Sequence, residues 1–64
     1  MLVYFTDATN QQKVAINPKY VVVVFVLPDG EMQGKTVIGL TTGNIVVEES
    51  QIDVVGIIEG QLSK

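Results

Sequence analysis

The chain has no cysteine and no histidine, and each absence removes a class of chemistry. Without cysteine there is no disulfide, and without either residue there is no Cys/His zinc clip. The usual nucleophile–base pairs of hydrolases cannot be assembled either. Arginine is missing as well, so all side-chain positive charge sits on Lys13, Lys19, Lys35 and Lys64. Seven acidic residues oppose these four, for a net charge of −3. Proteins that coat nucleic acid without sequence preference depend on neutralising phosphates, so this balance excludes that class and leaves only a local basic patch open. Lys13, Lys19 and Lys35 each fall near a predicted strand start, which would gather them at one end.

Long hydrophobic runs are also missing. The longest apolar stretch, Tyr20–Leu27, is far short of the roughly 20 residues a membrane-spanning helix needs, so no membrane association is expected. The first residues, Met1-Leu2-Val3-Tyr4-Phe5-Thr6-Asp7, carry no basic region of the kind that opens a secretory signal. The expected compartment is cytoplasmic.

The carboxylates offer little catalysis. Asp29 with Glu31, or Glu48 with Glu49, would be formal dyads, but adjacent strand residues point to opposite faces. They read as solvated turn and strand-end groups. Asp29-Gly30-Glu31 lacks a calcium-loop pattern. Gly34-Lys35-Thr36 matches only the end of a phosphate loop, and no long helix is predicted after it. No enzyme activity and no cofactor are expected.

What the chain does contain is the run Tyr20-Val21-Val22-Val23-Val24-Phe25-Val26-Leu27, in which all but Leu27 are β-branched or aromatic. Such residues fit a pleated surface and are stiff against a helical turn. The absence of polar alternation predicts a strand with apolar partners on both faces. Met1–Thr6 reads as a first strand. Gln12–Leu27 reads as one long strand kinked at Asn17-Pro18, or two strands meeting there, because proline lacks a donor and holds its predecessor extended. Pro28-Asp29-Gly30 marks a turn, Lys35–Thr41 a strand with Gly39 as either a bend or a point of close backbone approach, and Thr42-Gly43 a hairpin into Asn44–Glu48.

Ser50 and Asp53 resemble a helix cap, and Ile52, Val55 and Ile58 have helical spacing. The β-branched content of Ile52–Ile58 and its central Gly56 instead favour a final strand, followed by a polar Glu59–Lys64 tail. The expected architecture is all-β: a five-stranded, strongly bent open barrel of Sm-like or SH3-like type, with at most a short C-terminal helical turn. The whole of residues 1–64 is read as one domain. A domain this small has a marginal core, and 47% hydrophobic residues leave apolar surface for contacts between subunits. A homo-oligomer through β-edge pairing is therefore expected.

Asp29-Gly30-Glu31-Met32-Gln33 resembles the first motif of Sm and Sm-like proteins, Asp-x-x-Met-Asn, with Gln33 in the place of the Asn. The element order agrees if the usual N-terminal helix is missing. The chain is similar in size and element order to small Sm-like proteins found in marine phage and metagenomic sequences. The resemblance implies an open barrel whose protomers join into rings that bind single-stranded RNA. In that family the aspartate orients the loop, the methionine packs beneath it and the amide meets a base, so Asp29, Met32 and Gln33 would take those roles, with Lys35 and the Ser50-Gln51 turn nearby. Tyr4 and Tyr20 are possible stacking aromatics, more readily accounted for as core or interface residues. Two departures matter. Glu31 stands where a stacking residue is usual, and Glu49-Ser50-Gln51 replaces the Arg-Gly pair of the second motif. Losing both costs about 1–3 kcal/mol per base.

Val37 to Ser50 is similar to the C-terminal half of a small flagellar-operon protein family, with a strand, a Thr-Gly turn, a strand, and Glu-Ser before an apolar element. That resemblance implies a C-terminal helix and a protein-interaction role. Two functions are thus expected: a ring-forming module for single-stranded RNA or DNA, or an assembly module, of phage or bacterial origin, that binds no nucleic acid.

Overall fold

The computed structural model describes residues 1–63. Five strands and one helix follow in order: β1 (Val3–Thr6), β2 (Lys13–Ile16), a 3-10 turn (Pro18–Tyr20), β3 (Val21–Val26), β4 (Thr36–Leu40), β5 (Gly43–Val47) and α1 (Gln51–Leu62). They form two antiparallel sheets, one ordered β1-β2 and the other β3-β4-β5. The predicted kink lies where the sequence puts it. The Asn17 side chain accepts from the Lys19 N–H at 3.0 Å, its carbonyl accepts from the Tyr20 N–H at 3.0 Å, and Pro18 is buried. The chain therefore leaves one sheet at Ile16 and enters the other at Val21.

The sheets meet at one seam. Asp7 bridges Val47, the Ala8 N–H donates to the Val46 carbonyl and the Glu48 N–H to the Thr6 carbonyl, each at 2.8 Å. Among the described residues no closed barrel results. Helix α1 instead packs against β1, β3 and the 3-10 turn. The all-β expectation is thus corrected to a mixed fold, mostly β with a C-terminal helix. The predicted strand Ile52–Ile58 is helical, and so are the first residues of the predicted tail. Lys64 lies outside the described residues.

The helix forms despite its β-branched content because its start is capped and one stripe is buried. The Ser50 hydroxyl accepts from the Asp53 N–H at 3.2 Å, an arrangement whose loss costs about 1 kcal/mol. Val54 and Ile58, one turn apart, insert into a core of Val3, Phe5, Ile16, Ile38 and Val47.

The valine run behaves differently from expectation. β3 does pair with β4, but it is paired on one side only, and a bulge falls between Val21 and Val23. Val22 is 70% exposed, and Val23, Phe25 and Val26 are exposed too. The apolar cover expected on both faces is not supplied by the chain itself. Opposite the bulge sits Gly39, where an added Cβ would lie 2.6 Å from Val23 Cγ1.

Candidate functional site

The loop between β3 and β4 carries most of the residues singled out by the Sm-like motif. It is closed by the Leu27 N–H on the Lys35 carbonyl and the Gly34 N–H on the Leu27 carbonyl, both at 3.0 Å. Gly30 and Gly34 adopt φ of +89° and +85°, which glycine reaches without a steric penalty. Asp29 and Gln33 are exposed on this loop, and Met32 is half-buried with its carbonyl taking the Lys35 N–H.

Pairing of Thr36 with both Val26 and Val47 sets the end of β3, the start of β4 and the end of β5 side by side. Ser50 and Gln51 follow directly from β5. Ser50 caps α1, and the Gln51 amide donates to the Val24 carbonyl at 3.3 Å. Asp29, Met32, Gln33, Lys35, Ser50 and Gln51 therefore share one end of the three-stranded sheet.

That end is acidic and its lysines are engaged. The Lys35 ammonium pairs with Glu48, and the Gln11 amide donates to the other Glu48 oxygen at 2.6 Å. Glu49, which like Glu48 lies just past the end of β5, takes a separate set of partners. It accepts from the Thr6 N–H at 2.9 and 3.1 Å and from the Thr6 hydroxyl at 3.1 Å, with the Lys13 ammonium 4.0 Å away. The expected gathering of Lys13, Lys19 and Lys35 does not occur, because Lys19 lies in the 3-10 turn at the far end of β3.

These contacts move the carboxyl groups in one direction. The Lys35 hydrogen bond, then that of Gln11, holds Glu48 below its ordinary value. Partial burial pushes Glu49 up, but its hydrogen bonds from Thr6 and its own N–H, with the Lys13 charge, outweigh that and hold it low. The Thr9 hydroxyl and N–H lower Asp7. All three are stabilised as anions, which suits ion pairing rather than proton transfer at neutral pH. Among the described residues no cluster of three or more acidic side chains is arranged to hold a metal ion. No described helix is long and apolar enough to cross a membrane.

The sequence reading missed Gln11, which reaches Glu48 from a left-handed backbone with φ of 62°. Its polar neighbours, Asn10 and Gln12, gave no signal separating it from an ordinary turn residue. It also missed a cavity of about 280 Å³ at the opposite end of the sheet. Its lining mixes apolar Ala15, Ile16, Tyr20 and Leu40 with polar Asn17, Thr41 and Thr42. Compared with known proteins, the chain matches no family model, no curated protein and no solved structure.

Proposed function

We propose that the protein is a non-enzymatic assembly module that works as a homo-oligomer. The observation that carries this reading is the exposure of large apolar side chains in a chain with a small core. Val22 is 70% and Ile52 84% exposed, and Leu2, Tyr4 and Tyr20 are each more than half exposed. Patches of this kind on small proteins mark contact surfaces, and with no disulfide to stiffen the chain, association is the remaining supplement. The C-terminal helix, which the resemblance to the flagellar-operon family implies, supports the same reading. On this proposal the two sheets are halves of a strongly bent, open barrel of the Sm-like or SH3-like kind, hinged at Asn17-Pro18 and joined at Asp7 and Val47. Light scattering from micromolar to millimolar concentration tests it. A discrete oligomer is expected, and a monomer throughout overturns it.

A second reading, a ring that binds single-stranded RNA or DNA, draws on the convergence of Asp29, Met32, Gln33, Lys35, Ser50 and Gln51 at one sheet end. Against it, Asp29, Glu31, Glu48, Glu49 and Asp53 surround that end, and Lys35 is spent on Glu48. Titration of labelled oligo-U, oligo-A and single-stranded DNA decides between the two. Micromolar binding that weakens with salt would favour the nucleic-acid reading.

A further inference from the structure

Each sheet has two outer strands, and one from each sheet meets the other. β1 and β5 join at the seam through the Asp7–Val47 bridge and the backbone bonds of Ala8 and Glu48. β2 and β3 keep a strand neighbour on one side only. β2 is four residues long and begins at the exposed Lys13. A charged side chain of this kind guards a sheet edge against other strands. β3 has six residues, all valine or phenylalanine, and the run Tyr20–Leu27 around it holds no charge and no proline. It is the unguarded edge.

Backbone geometry tells which groups this edge offers. The Leu27 N–H donates to the Lys35 carbonyl. Alternation along an antiparallel pair then turns the backbone groups of Phe25 and Val23 toward β4 and those of Val24 and Val26 away from it. The Gln51 amide reaches the Val24 carbonyl at 3.3 Å, which fits a carbonyl on the outer side. Among the described residues no loop, helix or side chain takes the Val24 N–H or either backbone group of Val26. A carbonyl has two lone pairs, so that of Val24 can accept once more. Helix α1 packs against β3, yet Val22, Val23, Phe25 and Val26 stay exposed beside these groups.

We infer that β3 of a second copy of the chain adds to this edge, antiparallel and about a two-fold axis at Val24, so that Val22 of each copy lies across from Val26 of the other. A two-fold contact needs a surface that matches itself. An antiparallel strand matches itself in hydrogen bonding, and an uncharged one lets two copies of net charge −3 meet without opposing like charges. A foreign strand would satisfy the same backbone groups, but its selection draws on pockets for alternate side chains, and the cavity at Tyr20 includes none of Val22–Val26. One strand per side is smaller than the roughly 20–30 residues a side of a standard interface, so the association belongs to the weaker class. This inference rests on the self-assembly reading above and names the edge that carries it.

Light scattering from micromolar to millimolar concentration, on the full chain and two variants, tests it, with circular dichroism verifying that each variant keeps the parent fold. Val26→Pro removes an N–H that β4 does not use, and proline is tolerated on the solvent side of an edge strand. Val22→Lys sets a charge on the edge. Each change enters a two-fold contact twice, and each is expected to weaken association by about tenfold or more. Hydrogen exchange of the parent gives an independent reading, since the Val24 and Val26 amides should slow as concentration rises. Should Val26→Pro fail to fold, Val22→Lys and the exchange rates decide by themselves. A parent that stays monomeric at millimolar concentration overturns the self-assembly reading together with this contact. A parent that assembles, with the variants assembling equally well and the two amides exchanging at the same rate at every concentration, overturns the edge contact alone and leaves the reading standing.

Discussion

β3 and β4 lie side by side and both are apolar, yet they end in opposite surroundings. Thr36, Val37, Ile38 and Gly39 of β4 are buried, whereas Val22, Val23, Phe25 and Val26 of β3 are exposed. The more hydrophobic strand is the more exposed one. β4 has a hydrogen-bonded neighbour on each side, and β3 has one strand and part of a helix. Position in the sheet, more than composition, decides how much of an apolar strand is covered. A run such as Val21–Val26 declares that cover is needed, but it does not say whether the same chain provides it.

The contrast can be broken by mutation. The largest effect is expected at Ile38, fully buried between β3 and β5. Ile38→Ala should cost about 2–5 kcal/mol in urea unfolding, and a loss below 1 kcal/mol would mean β4 is not the centre of the core. Gly39 sharpens the same point. The Val23 methyl that meets an added Cβ belongs to a side chain stiff at χ1, so Gly39→Ala should cost about 1–3 kcal/mol and loosen the pairing at the bulge, read by hydrogen exchange of β3 amides.

The acidic end responds to pH. Glu49 has its folded-state value below the ordinary 4.5, so the unfolded chain takes up its proton first as pH falls. The stabilisation it gives is therefore complete above about pH 5 and is lost as pH drops through the folded-state value. Glu49→Gln should flatten that acid limb and cost about 1–2 kcal/mol at neutral pH, with Asp7 and Glu48 supplying the remaining slope. At the small end of the range, Val22→Thr should change the stability of the dilute chain by less than about 0.5 kcal/mol. A large loss there would show that Val22 is covered after all.

Much of the fold was legible from residues with one strong local meaning. Asn17-Pro18 marked the kink, Pro28-Asp29-Gly30 the loop, and Gly39 a bend or a close approach, of which the structure shows the close approach. The last element was not legible in the same way. Ile52, Val54, Val55, Ile57 and Ile58 with Gly56 and Gly60 argue for a strand on propensity. The Ser50 cap and the burial of Val54 with Ile58 decided otherwise, and only the cap is local. Of the helically spaced residues noticed in the sequence, Ile52, Val55 and Ile58, only Ile58 is buried, Val55 is half-buried and Ile52 is exposed. At the candidate site, the separate partners of Glu48 and Glu49 were not legible, because both residues lie just past β5 and Gln11 and Thr6 reach them from a loop and a strand some forty residues away in the chain.

Those two consecutive glutamates have a mechanical consequence. Glu48 grips the Asp7–Gln12 loop and the loop that leads into β4 through Gln11 and Lys35, while Glu49 grips the end of β1 through Thr6. The segment that carries them also launches the helix at Ser50. Both sheets and the helix are thereby stitched through three successive residues. Opening that stitch frees every part at once, so the chain should melt in a single concerted step rather than sheet by sheet.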